Sequence, residues 1–152
     1  AQWSAGAPRD PALRSRLDRP TPRLALGLQL AGLASAAIDI SDGLLADLAH
    51  LCRGSGVGAT IELEALPVSD ALRAAAPDRD TRRALQATGG DDYELCFTAS
   101  PDRHGAILEA GVGAGVDVTR IGRIGAGAEV IAVGADGAPW TPPRAGWDHF
   151  SG

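Results

Sequence analysis

The 152-residue chain contains no lysine; all fourteen of its basic side chains are arginines. This excludes a phosphate loop of the G-x-x-x-x-G-K-[ST] type, whose lysine reaches the phosphates, and all lysine Schiff-base chemistry. Cysteine is scarce too: Cys52 and Cys96 are too few for a disulfide framework or a zinc cluster. They fall in a helical and a strand pattern and read as small buried apolar residues. His50, His104 and His149 lie far apart with no cysteine or histidine at ligand spacing, which argues against structural zinc. There is no long hydrophobic run. The most apolar stretch, residues 24–38, is too short for a membrane span and is broken by Gly27, Gln29 and Gly32. Positive charge is in deficit, 14 basic against 19 acidic residues for a net −5, which argues against nucleic acid or an anionic membrane surface as partner. Methionine is absent and the chain opens Ala1-Gln2-Trp3, as expected of a processed chain or a piece of a longer one. With no apolar signal-peptide core, the expectation is a soluble cytoplasmic domain with one core.

The pattern along the chain alternates helices and strands. Residues 11–17 predict a short helix with Asp10 as its cap, and Arg19-Pro20-Thr21-Pro22-Arg23 an extended linker. Helices are expected over 24–34, 43–53, 69–75, 80–88 (opening on an Asp cap) and 101–110. The strongest is 43–53, where Leu44, Leu45, Leu48, Leu51 and Cys52 form one apolar stripe. Strands are expected over 36–40, 57–63, 93–99, 116–124 and 129–133, with turns at 111–115 and Asp136-Gly137. In the third of these strands Tyr93, Leu95 and Phe97 share a face. Interleaved helices with several tightly joined strands predict an α+β fold with a mixed β-sheet.

Three stretches carry chemistry. Asp39-Ile40-Ser41-Asp42-Gly43 lies at a strand-to-helix junction, where two carboxylates and a hydroxyl converge on free helix N–H groups. Such a set suits Mg²⁺, which prefers oxygen donors and bridges to substrate phosphates. Helix capping accounts equally for Ser41 or Asp42, but not for Asp39, a carboxylate within an apolar strand. Gly89-Gly90-Asp91-Asp92-Tyr93-Glu94-Leu95 places adjacent acids before a buried strand, either around a cation or ligand or in a solvated turn. Gly146-Trp147-Asp148-His149-Phe150 carries two large aromatics, either as a latch on the domain's own core or as a face offered to a ring. The run Gly54-Ser55-Gly56-Val57-Gly58-Ala59 fits G-x-G-x-x-A only formally, because it follows a helix and precedes a strand. No nucleophile motif is present, and no catalytic side chain is assigned.

Taken in order, the stretches resemble the C-terminal half of the thiamine-monophosphate kinase family, within the aminoimidazole ribonucleotide synthetase-like superfamily. The matching residues are Arg19 to Arg23, the run from Ile38 to Leu48, Ser55 to Gly58, Gly89 to Leu95, Ile121 to Ile124 and Gly146 to Phe150. The resemblance implies a linker over 1–18 and a C-terminal kinase domain over 19–150. The metal- and ATP-binding N-terminal domain would lie outside this chain. It implies Asp39 and Asp42 as Mg²⁺ ligands, Ser41 as a contact to ATP, and Asp91 and Trp147 as contacts to thiamine monophosphate. Asp91 departs from the family, which commonly has Glu there, one methylene longer, so a water-mediated contact is an alternative. The implied reaction is Mg²⁺-assisted in-line transfer from ATP to thiamine monophosphate, by a homodimer in full-length form. The isolated chain is expected to be inactive. Another ATP-using member of the superfamily, or a non-catalytic ligand-binding domain, are the alternatives.

Overall fold

The computed structural model describes Arg14 and residues 18–142. The order begins with α1 (Leu24–Gln29), β1 (Ala34–Asp39), α2 (Leu44–Ser55) and β2 (Gly58–Glu62). It continues through α3 (Asp70–Ala75), α4 (Arg79–Thr88), β3 (Leu95–Ala99) and α5 (His104–Ala114) to β4 (Gly122–Gly125), β5 (Val130–Val133) and β6 (Pro139–Trp140). β1 and β3 pair antiparallel as a two-stranded ribbon. The four-stranded sheet has the order β4-β2-β5-β6, with β2 and β5 parallel and the other pairs antiparallel. The expected α+β architecture with a mixed sheet is what the chain forms.

Two apolar clusters hold these layers together. In the first, Leu44, Leu48 and Cys52 of α2 pack on Ala59 and Ile61 of β2, Ala132 of β5, and Cys96 of β3. In the second, Leu26 and Leu30 pack on Ile107 and Ala110 of α5. The ribbon lies between them. Strand alternation sends Cys96 to the first cluster and Leu95 and Phe97 to the second. A register shift between Ala34 and Ala36 reverses the alternation in β1, so Ala34 joins the second cluster while Ile38 joins the first.

Local chemistry explains most element ends. The hydroxyl of Ser69 accepts the Leu72 N–H at 3.1 Å and the carboxylate of Asp78 accepts the Thr81 N–H at 2.8 Å, starting α3 and α4. The Asp cap of α4 is therefore Asp78, and the helix opens one residue before the expected 80. α1 stops at Gln29, short of the expected 34, because the chain turns through Gly32 at φ +79° into β1. Of the expected turn over 111–115 only Gly115, left-handed at φ +68°, turns the chain. α5 runs through the rest to Ala114, and Gly111 is needed because a Cβ there would sit 2.8 Å from Val118 Cγ2 and 2.9 Å from the Val116 carbonyl. The expected strand over 116–124 shrinks to β4, since Val116 and Val118 are packed against the second cluster instead. The hairpin turn at Asp136-Gly137 forms, joining β5 to β6. The expected helix over 11–17, Arg14 apart, and the stretch 146–150 fall outside the described residues.

Leu48, 2% exposed at the centre of the first cluster, carries the sharpest test of this packing. Leu48→Ala is expected to lower unfolding free energy by about 2–5 kcal/mol in urea titrations. Val112→Ala, at an 83% exposed position on α5, is expected to change it by no more than about 0.5 kcal/mol.

Candidate functional site

The junction between β1 and α2 is built around a buried acid. Ile38 and Ile40 pack on the first cluster, so Asp39 and Ser41 alternate outward and are exposed. α2 begins at Leu44, and its cap residue is Gly43, which has no side chain to cap with. Ser41 and Asp42 therefore do not cap the helix, and both are exposed. The N–H groups of Ser41, Asp42 and Gly43 instead donate to one oxygen, Oδ2 of Asp47, at 2.8, 3.0 and 3.2 Å. Asp47 is only 4% exposed, and its burial is compensated by these charge-assisted hydrogen bonds and by its place in the first turn of α2. Residues 41–43 precede the helix, so these are loop donors, distinct from the helix N–H groups expected at this junction. The loop donors are spent on Asp47 and are not on offer to a phosphate.

The second acidic loop is clamped to the first through backbone. The Asp91 N–H donates to the Ser41 carbonyl at 2.9 Å and the Tyr93 N–H to the Ile40 carbonyl at 3.1 Å. The Ile40 N–H donates to the Glu94 carbonyl at 2.8 Å. The approach is so close that a Cβ on Gly90 would lie 2.5 Å from the Ser41 carbonyl oxygen, and one on Gly43 would lie 2.9 Å from that of Thr88. Asp91 and Tyr93 adopt left-handed backbone, φ +64° and +52°, which for residues with side chains costs of order 1–3 kcal/mol each. The expected strand over 93–99 therefore starts only at Leu95, and Tyr93 is turned out of the Leu95–Phe97 face to 43% exposure. Asp39, Ser41, Asp42 and Asp91 thus belong to one pair of interlocked loops. Trp147 lies outside the described residues.

Beside these loops, a cleft of about 360 Å³ opens between α1 and the ribbon, lined in part by Arg23, Leu24, Leu28, Asp39, Tyr93 and Glu94. Arg23, in this lining, holds Glu94 through two hydrogen bonds, Nε to Oε2 at 2.8 Å and an Nη to Oε1 at 2.7 Å. The hydrogen bond that Arg23 donates to Glu94 raises the guanidinium's pKa above its ordinary value. Neither cysteine is available as a nucleophile. Burial raises the Cys52 thiol and, as the largest influence, pushes Cys96 up to about 11.

Two residues that matter here carried weak signals in the sequence. Asp47 stands three residues after Leu44 and one before Leu48, an acid on the buried face of an apolar stripe. Arg23 is flagged only by the Pro-rich run before it. As for metal binding, exposed carboxylates and a hydroxyl are the right donors for Mg²⁺, which commonly takes one or two carboxylates and completes its shell with water and substrate phosphate. Among the described residues no group of three or more His, Cys, Asp or Glu converges into a cage. The donor set is right in kind and partial in number.

The chain matches the family described as AIR synthase related protein, C-terminal domain, over residues 4–134. The chain belongs to that family. It is 44% identical over 134 residues to the thiamine-monophosphate kinase of Salmonella typhimurium, a match covering 88% of this chain and 41% of that protein. The crystal structure of thiamine-monophosphate kinase from Stenotrophomonas maltophilia is 48% identical and superposes with a TM-score of 0.77, covering 83% of this chain and 39% of that one. The structure of AaThiL complexed with AMPPCP and TMP is 34% identical with a TM-score of 0.75, covering 95% of this chain and 44% of that one. The chain therefore spans less than half the length of these relatives. Among the described residues no helix is long and apolar enough to cross a membrane.

Gly90 tests the interlock of the two loops. Gly90→Ala is expected to destabilise the fold by about 1–3 kcal/mol, through the clash with the Ser41 carbonyl. Amide hydrogen exchange at Asp91 should accelerate more than at Ile61 in the core. Unchanged stability and exchange would contradict the close approach.

Proposed function

We propose that this chain is the C-terminal domain, over residues 19–150, of an ATP-dependent kinase that converts thiamine monophosphate to thiamine diphosphate. Residues 1–18 serve as the linker to an N-terminal domain that carries most of the metal and nucleotide site and through which the full-length protein forms a homodimer in the cytoplasm. The observation that carries this reading is the interlock itself: two separate acidic motifs are held together by backbone hydrogen bonds, with their carboxylates exposed. The likeness to AaThiL, whose complex contains AMPPCP, an ATP analogue, and TMP, supports it.

In this reading Asp39 and Asp42 are ligands to Mg²⁺, Ser41 contacts the ATP phosphates, and Asp91 and Trp147 contact thiamine monophosphate. Bound Mg²⁺ supplies the positive charge that lets two polyanions approach. The acceptor is a phosphate oxygen that is already anionic, so the chain needs no strong general base and none of its residues is assigned that role. The γ-phosphoryl leaves the bridging oxygen of ATP and bonds to the acceptor oxygen, releasing ADP. What the residues contribute is position: an in-line approach requires fixed donors rather than mobile ones. Asp91 is one methylene shorter than the Glu common in this family, so it reaches the substrate directly or through one water.

Two measurements test this. In the full-length enzyme, Asp39→Ala and Asp42→Ala are each expected to cost several kcal/mol of transition-state stabilisation, a fall in turnover of at least about 100-fold. Wild-type turnover by Asp42→Ala across a Mg²⁺ titration would remove the metal assignment. The 152-residue chain alone is expected to form no thiamine diphosphate from ATP and thiamine monophosphate, as followed by chromatography. Product formation by the pure chain would place the whole reaction within these residues.

A further inference from the structure

We propose that Asp47 is the positioning residue of this site, fixing Ser41 and Asp42 in place without itself touching a ligand. The inference rests on the kinase reading above. Its ground is geometric. One carboxylate oxygen accepts the N–H groups of three successive residues, Ser41, Asp42 and Gly43, within 2.8–3.2 Å. In return the Asp47 N–H donates to the Gly43 carbonyl at 2.9 Å, so loop and helix are tied in both directions. Asp47 is only 4% exposed and is not among the residues that line the cleft.

The arrangement has a consequence that ordinary capping lacks. A helix capped by Ser41 or Asp42 would turn that side chain inward onto the helix's own N–H groups. Here the acceptor is supplied from inside α2, four residues after the cap position, and the side chains of Ser41 and Asp42 remain exposed. The same carboxylate occupies the loop's amide donors, so the junction presents carboxylates and a hydroxyl but no amide cradle from residues 41–43. Such a surface favours a cation over a bare phosphate. The Ser41 carbonyl then passes the geometry on to the second loop through the Asp91 N–H at 2.9 Å.

The test compares Asp47→Ala and Asp47→Asn in the full-length enzyme, measuring melting temperature, kcat, the half-saturating Mg²⁺ concentration and KM for thiamine monophosphate. Among folded molecules, Asp47→Ala is expected to lower kcat and raise the half-saturating Mg²⁺ concentration, each by about 10–100-fold, with the acceptor KM moving far less. Asp47→Asn keeps an acceptor oxygen of the same reach and is expected to recover part of both losses. It also serves if Asp47→Ala does not fold. A lowered melting temperature with kcat and Mg²⁺ dependence within about twofold of wild type in the folded variants would make Asp47 merely structural and overturn the inference. If the wild-type enzyme forms no thiamine diphosphate at all, the kinase reading fails before any variant is compared, and this inference falls with it.

Discussion

A single buried oxygen organises the acidic end of this domain. The Asp47 carboxylate sits under the β1–α2 junction and gathers three backbone donors that would otherwise be left to solvent or to a ligand. Burying a carboxylate in an apolar cluster is costly unless its hydrogen bonds are made, and here they are made to one short loop. That loop is in turn the surface on which the second acidic loop rests, at contacts too close for any side chain on Gly90. Position at the site is therefore inherited from the core: α2 packs on the β2–β5 layer, Asp47 rides on α2, and the two loops hang from Asp47.

This hierarchy bears on what a chain without lysine could offer a phosphate. In a lysine-bearing phosphate loop, backbone amides and an ammonium group meet the anion directly. Here the amides of residues 41–43 are already engaged, and Arg23, a cation lining the cleft, is paired with Glu94. What remains exposed at the loops is acidic. In the reading proposed above, a metal ion would bring phosphates to such a surface, and a partial donor set suits an ion that completes its shell with water and substrate phosphate. The left-handed backbone at Asp91 and Tyr93 fits the same picture, since strain of that sort persists only where surrounding contacts over-determine it.

Much of this was legible in the sequence, and the exceptions have physical causes. The stripe from Leu44 to Cys52 marked α2 because a buried helix face repeats every three to four residues. Alternation marked the outward Asp39 between Ile38 and Ile40 for the same kind of reason. The expectation failed where a long-range contact overrode local preference. Gly111 and Gly113 lie inside α5, though glycines usually mark turns, because the segment carrying Val116 and Val118 packs against the helix at Gly111 and the Gln29 side chain approaches it at Gly113. Tyr93 left its strand because its N–H is drawn to the carbonyl of Ile40, a partner fifty-three residues earlier in the chain. Asp47 carries no sequence signal of its role, since an acid within an apolar stripe does not reveal its partners. Only the folded loop shows that three amides point at it.

The most direct test of the account is a crystal structure of the full-length protein with Mg²⁺ and a non-hydrolysable ATP analogue. The account predicts Mg²⁺ about 2.0–2.1 Å from carboxylate oxygens of Asp39 and Asp42, with the analogue's phosphates on the same ion or ions. It also predicts that Asp47 still holds the amides of residues 41–43 in that complex. Phosphate oxygens bonded directly to those amides, with Asp47 displaced and no ion at Asp39 or Asp42, would contradict it.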